Sequence, residues 1–127
     1  MMKLKLSILI GLLFAFYSQV ISQTKSETIL VNGVCGMCEK RIESNCLNIK
    51  GVKMADWNRE NGTLKIVFNE KKISLDAISK SIASIGHDTK LITPDVDSGW
   101  ITAPDEVYDK LPMCCKYRDE EVVKNHP

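Results

Sequence analysis

The stretch Val31-Asn32-Gly33-Val34-Cys35-Gly36-Met37-Cys38-Glu39-Lys40-Arg41-Ile42 constrains this chain most, because it runs an apolar strand through a glycine-flanked pair of thiols into a helix. Two cysteines separated by two residues at a loop-to-helix junction can turn both sulfurs toward one point. Cys38 then falls in the first helical turn, where free N–H groups and the positive end of the macrodipole favour a thiolate. Gly33 and Gly36 would let the loop take backbone angles that other residues resist. Met37 is held between the two thiols, at or near the surface. The pattern reads as a soft-metal site on Cys35 and Cys38. Zinc sites and disulfide-exchange proteins use the same spacing, so the surrounding chain must decide.

The elements on either side give a definite order. Ile29, Leu30 and Val31 make a first strand over 27–32. Ile42, Cys46 and Ile49 then recur at helical spacing, with charged residues opposite and Gly51 as the stop, which predicts a helix over 38–48. Cys46 lies on the apolar stripe and reads as a small buried hydrophobe. Residues 52–58 and 63–68 flank Asn61-Gly62, a strong hairpin signal, and a bulge is expected in the first of the two strands. Ser74 is a good N-cap for a second helix built on Leu75, Ile78, Ile82 and Ile85, ending at Gly86. A short last strand over 90–93 stops at Pro94. The order βαββαβ is that of an α+β, ferredoxin-like sandwich, with two helices on a four-stranded antiparallel sheet.

Residues 1–22 are expected to be a signal peptide. Lys3 and Lys5 precede an apolar run over 6–16 that is too short to span a bilayer comfortably. Its removal leaves 105 of the 127 residues, enough for one domain over 23–93 and a tail over 94–127. The loss of two lysines from 17 basic residues against 16 acidic ones leaves a nearly neutral chain. That balance, without a basic cluster, argues against nucleic acid or an anionic membrane surface as the main partner. Membrane contact is expected only through the signal peptide, and the destination is the periplasm or the exterior.

All five cysteines lie in the exported part, and an odd number cannot all pair within one molecule. The tail, marked by prolines and acids, carries Leu111-Pro112-Met113-Cys114-Cys115-Lys116-Tyr117, with a short helix expected from Pro104. Trp100, Tyr108, Leu111 and Tyr117 are apolar enough to dock it. Cys114 and Cys115 have three roles open to them: extra sulfur ligands near Cys35 and Cys38, disulfide partners, or structure.

The sequence resembles the heavy-metal-associated domain family, the small fold of copper chaperones, of the N-termini of metal-exporting P-type ATPases and of periplasmic mercury-binding proteins. The resemblance covers about residues 27–93. It rests on the Val-x-Gly-x-Cys-x-x-Cys loop with Glu39-Lys40-Arg41-Ile42-Glu43, on Gly51-Val52, on the hairpin and on Ile85-Gly86-His87-Asp88. It implies that Cys35 and Cys38 bind one Cu(I), with Zn(II) or Hg(II) as alternatives, and pass it by ligand exchange to a transporting P-type ATPase or another carrier. Two departures stand out. The family's methionine usually precedes the pair and packs beneath the loop, whereas Met37 lies inside the pair. His87 stands where other members often carry tyrosine, phenylalanine or lysine, and is either a third ligand or a solvated loop histidine.

No general base, oxyanion arrangement or cofactor motif is visible, so an enzyme is not expected. A thiol-disulfide oxidoreductase would need a β-α unit before its CxxC strand, and the hairpin is the wrong sequel to its helix. An interaction module that uses its thiols only for disulfides is the other alternative. A monomer and a metal-bridged dimer are equally compatible with the sequence.

Overall fold

The computed structural model describes residues 23–92 and 99–126, so the expected signal peptide over 1–22 lies outside the described residues. The elements run β1 (Thr24–Val31), α1 (Gly36–Leu47), β2 (Val52–Trp57), β3 (Thr63–Asn69), α2 (Leu75–Ser84), β4 (Thr89–Leu91) and β5 (Trp100–Ile101). After them come α3 (Asp105–Tyr108), a 3-10 turn (Met113–Cys115) and α4 (Glu120–Lys124). The βαββαβ order is as expected, and the sheet is antiparallel in the order β2-β3-β1-β4-β5. Among the described residues it has five strands rather than four. The fifth comes from the region read as tail, where Trp100 pairs with Lys90 and Ile101 with Thr89.

Each element forms for a legible reason. On β3, Leu64, Ile66 and Phe68 are buried at every second position, the alternation of a strand with one face on a core. Gly62 takes a φ of +72° in the hairpin, and the β2–β3 register shifts between Val52 and Met54, the expected bulge. Helix α2 opens at Ser74, whose hydroxyl accepts the Ala77 N–H at 3.1 Å. Its buried Ile78 and Ile82 face the sheet one turn apart. Helix α1 buries Cys38, Ile42 and Cys46, a stripe of period four. Cys46 is fully buried as expected, and burial, with the Glu43 charge second, pushes its thiol up to about 12. It is an inert core residue.

Residues 99–126 fold back over one end of this sandwich. Gly86 ends α2 with a φ of +112°, and a Cβ there would stand 3.0 Å from a methyl of Leu111, so Leu111 packs directly on glycine backbone. Tyr108 and Leu111 are buried in the core cluster, while Trp100 stays 46% exposed on the edge strand. The Tyr117 hydroxyl donates to Gly86 O at 2.6 Å and accepts the Asp88 N–H at 3.0 Å. Asp88 in turn accepts the Ala103 N–H at 2.7 Å and Arg118 at 3.0 Å. Arg118 also pairs with Asp105, but that carboxylate is solvent-exposed and such a pair adds little. The partly buried Asp88 arm is the one that holds.

Candidate metal centre

The loop after β1 brings the first pair of thiols together. Cys35 is the N-cap residue of α1 and Cys38 lies in its first turn, with their sulfurs 3.7 Å apart. Neither glycine of the loop takes a positive φ, so backbone freedom is not their purpose. A Cβ on Gly33 would lie 2.9 Å from the Trp57 indole and 3.1 Å from the Cys38 Cβ, and Gly33 is glycine because of that close approach. Trp57 is 2% exposed, and its indole N–H donates to Val31 O at 3.0 Å. It fills the space beneath the thiol loop. Met37 is 53% exposed and does not.

The tail brings the second pair. The Cys35 sulfur lies 3.4 Å from that of Cys114 and 3.6 Å from that of Cys115, and the tail sulfurs are 4.0 Å apart. Cys35, Cys114 and Cys115 all lie within 4.8 Å of one another. Cys115 also meets the Cys38 thiol, and Arg41 Nη1 donates to it at 3.4 Å. The Cys114 thiol donates to the Met37 thioether at 3.5 Å. Cys35 is the hub, touching every other sulfur of the four cysteines. All are free thiols.

Protonation follows this geometry. Burial pushes Cys35 up, but the facing N–H of Cys38 and the thiols of Cys114, Cys115 and Cys38 outweigh it and hold Cys35 at about 7. Cys35 makes no formed capping bond; the helix-end N–H groups nonetheless favour its thiolate. The hydrogen bond with Cys35 raises Cys114, with burial adding to it, and burial above all raises Cys115. One negative charge therefore settles on the hub while the tail thiols keep their protons. The loop is not shallowly exposed: Cys38 is fully buried and Cys35 9% exposed under the tail, leaving Cys114 as the half-exposed thiol.

His87 does not join the group of thiols within 4.8 Å, nor is it a solvated loop residue. It is fully buried, with Nδ1 2.8 Å from Asn32 O and its ring stacked on Tyr117 at 5.7 Å. A carbonyl only accepts, so Nδ1 carries the proton and Nε2 is left bare and unpartnered. Burial lowers its pKa from 6.5. A depressed histidine takes up its proton later in the folded than in the unfolded state, so stability falls as pH drops below 6.5. We expect the unfolding free energy to decline as pH drops below 6.5, by no more than about 1.4 kcal/mol per pH unit for this single group. Denaturant titration of wild type and His87→Phe checks this; the wild type should show the decline and the variant a flatter profile.

The sequence singled out Cys35, Cys38, Cys114, Cys115 and His87. The structure brings the four thiols together and uses His87 differently, as the platform on which Tyr117 stacks. Arg41 and Met37 complete the surroundings. Arg41 could have been found from its place one turn beyond Cys38, but its contact with Cys115 depends on the docked tail.

A split βαβ sandwich with a thiol pair at its first strand-to-helix loop defines the class of small metal-binding α+β domains. Within it, this chain belongs to the heavy-metal-associated domain family, whose model matches residues 28–88. The copper chaperone CopZ of Staphylococcus aureus (strain JH9) is 35% identical over 63 residues, which are 93% of that protein and 49% of this chain. Among solved structures, a CopZ metallochaperone superposes with a TM-score of 0.50 at 33% identity, over 51% of this chain and 98% of its own. The N-terminal domain of a potential copper-translocating P-type ATPase from Bacillus subtilis, in its Cu(I)-loaded state, gives 0.53 at 27% identity, over 60% and 98%. These similarities cover the domain. The tail with Cys114 and Cys115 lies beyond the family match.

Proposed function

We propose that this chain is an exported carrier of a soft metal ion, Cu(I) above Zn(II) or Hg(II), and not an enzyme. It holds the ion on Cys35 and Cys38, with Cys115 closing the site. The observation that carries this is the position of the Cys35 sulfur 3.4–3.7 Å from three other thiols. An ion held in line by two thiolates alone needs sulfurs about 4.6 Å apart, given metal–sulfur bonds of about 2.3 Å, whereas trigonal coordination needs about 4 Å. At 3.7 Å, Cys35 and Cys38 suit the higher coordination number. Sulfur donors, with the Met37 thioether alongside, favour Cu(I).

Delivery proceeds by ligand exchange. A thiolate of the receiving protein, a metal-transporting P-type ATPase or another carrier, bonds to the ion while one of this chain's thiolates leaves it. The named relatives, a copper chaperone and an ATPase domain, support that partner class. Because the tail covers Cys35 and Cys38, exchange starts from the outer side at Cys114 or after the tail lifts. Export rests on the apolar run over 6–16.

A competition titration of the reduced, anaerobic chain with Cu(I) and Zn(II) against chelators tests this. Tight binding lost in the Cys35→Ser, Cys38→Ser double variant supports the carrier. Binding unchanged in that variant, or absent in the wild type, overturns it. The 3.4 Å approach of Cys35 to Cys114 favours a disulfide-based role as the second reading. Non-reducing gels of protein taken from the exported compartment would then show that bridge in place of metal-held thiols.

A further inference from the structure

The four sulfurs do not form a tetrahedron. One tetrahedral ion would need every pair of sulfurs about 3.8 Å apart, given bonds of about 2.3 Å. Instead Cys38 lies outside the group of Cys35, Cys114 and Cys115 that all stand within 4.8 Å of one another. Contacts join the sulfurs as two triangles with a common edge, the Cys38–Cys115 side being a hydrogen bond between the two thiols. One is Cys35, Cys38 and Cys115; the other is Cys35, Cys114 and Cys115. The common edge, Cys35 to Cys115, measures 3.6 Å, and the edges running to the outer sulfurs that are fixed by distance measure 3.7, 3.4 and 4.0 Å. Each length is close to the spacing of about 4 Å that a three-coordinate thiolate site requires.

We propose that this centre holds two Cu(I) ions, one in each triangle, bridged by the sulfurs of Cys35 and Cys115, with Cys38 and Cys114 as the outer ligands. The proposal rests on the carrier reading and adds a second site to it. Loading converts four thiol groups into four thiolates, and the protons not already lost from Cys35 pass to water. Two monovalent ions and four thiolates leave two negative charges. Arg41, which donates to the bridging Cys115 at 3.4 Å, stands where it offsets part of that charge. The outer ion also has the Met37 thioether beside Cys114. It lies toward a surface hollow lined by Met113, Cys114, Asp119, Val122 and His126, which gives it a path to solvent that the inner ion lacks. The outer ion is then the one first exchanged.

Native mass spectrometry of the reduced chain, loaded with Cu(I) from a competing chelator, counts the ions directly. The proposal expects two per wild-type chain, a short copper–copper distance by X-ray absorption, and one ion in Cys114→Ser. Cys114 is half-exposed, so serine there should leave the circular dichroism spectrum unchanged. A wild type that saturates at one ion overturns the second site. If that ion is lost in the Cys35→Ser, Cys38→Ser variant, the carrier reading stands alone. A Cys114→Ser chain that still holds two ions overturns the assignment of the outer triangle. Failure of the wild type to hold any ion removes both.

Discussion

Replacing Trp57 by alanine is expected to lower the unfolding free energy by about 3–5 kcal/mol, the usual cost of deleting a large buried aromatic side chain. Trp57 is 2% exposed, pairs with Leu64 across β2 and β3, donates to Val31 O, and lies against Gly33. Few atoms could move into the space, because the thiol loop above it is fixed by β1 and α1. The substitution should also loosen Cys35 relative to Cys38, since Gly33 would lose the surface it rests on. Denaturant unfolding of the metal-free chain gives the first effect, and Cu(I) competition the second. A loss below about 0.5 kcal/mol, the range of an ordinary surface change, would mean that the loop is not supported from beneath.

The second large effect is expected at Tyr117, which touches no thiol. Tyr117→Ala removes the hydroxyl that bridges Gly86 O and the Asp88 N–H, the ring stacked on His87 and the edge contact with Tyr108. The tail then loses its principal hold on the loop after α2, and Cys114 and Cys115 separate from Cys35. Partners that orient metal ligands typically contribute 10–100-fold to affinity, so Cu(I) binding should weaken by about that factor. Affinity should fall to that of Cys114→Ser, Cys115→Ser and no further. Tyr117→Phe keeps the ring and should lie between. Full affinity in Tyr117→Ala would separate the tail from the metal site.

The domain was legible in the sequence because its signals are local. Helix α2 is announced by its cap and by four apolar residues at helical intervals, and the β2–β3 turn by one Asn-Gly pair. The thiol pair is announced by a strand, two glycines and a helix start within twelve residues. What stayed hidden depends on contacts between residues far apart in the chain. Strand β5 is two residues long, too short to show a period, and is defined only by its pairing with Thr89 and Lys90 of β4. The place of His87 is set by Tyr117 and Asn32, thirty residues after it and fifty-five before it. Two glycines in a loop suggest backbone freedom, whereas neither takes a positive φ and Gly33 is required by the close approach of an indole from β2. Cys114 and Cys115 were visible as donors, but their meeting with Cys35 follows from Arg118, Asp88 and Tyr117 acting together. No sequence interval encodes that.

The coordination number of bound Cu(I) in the full chain tests the account most directly, measured by X-ray absorption on the reduced protein with one equivalent of the ion. The structure predicts three sulfur neighbours, from Cys35, Cys38 and Cys115, and a drop in that number in Cys115→Ser. Two sulfur neighbours in the wild type, unchanged by Cys115→Ser, would contradict it: the metal would then sit on the loop pair alone, with the tail a cover and not part of the site.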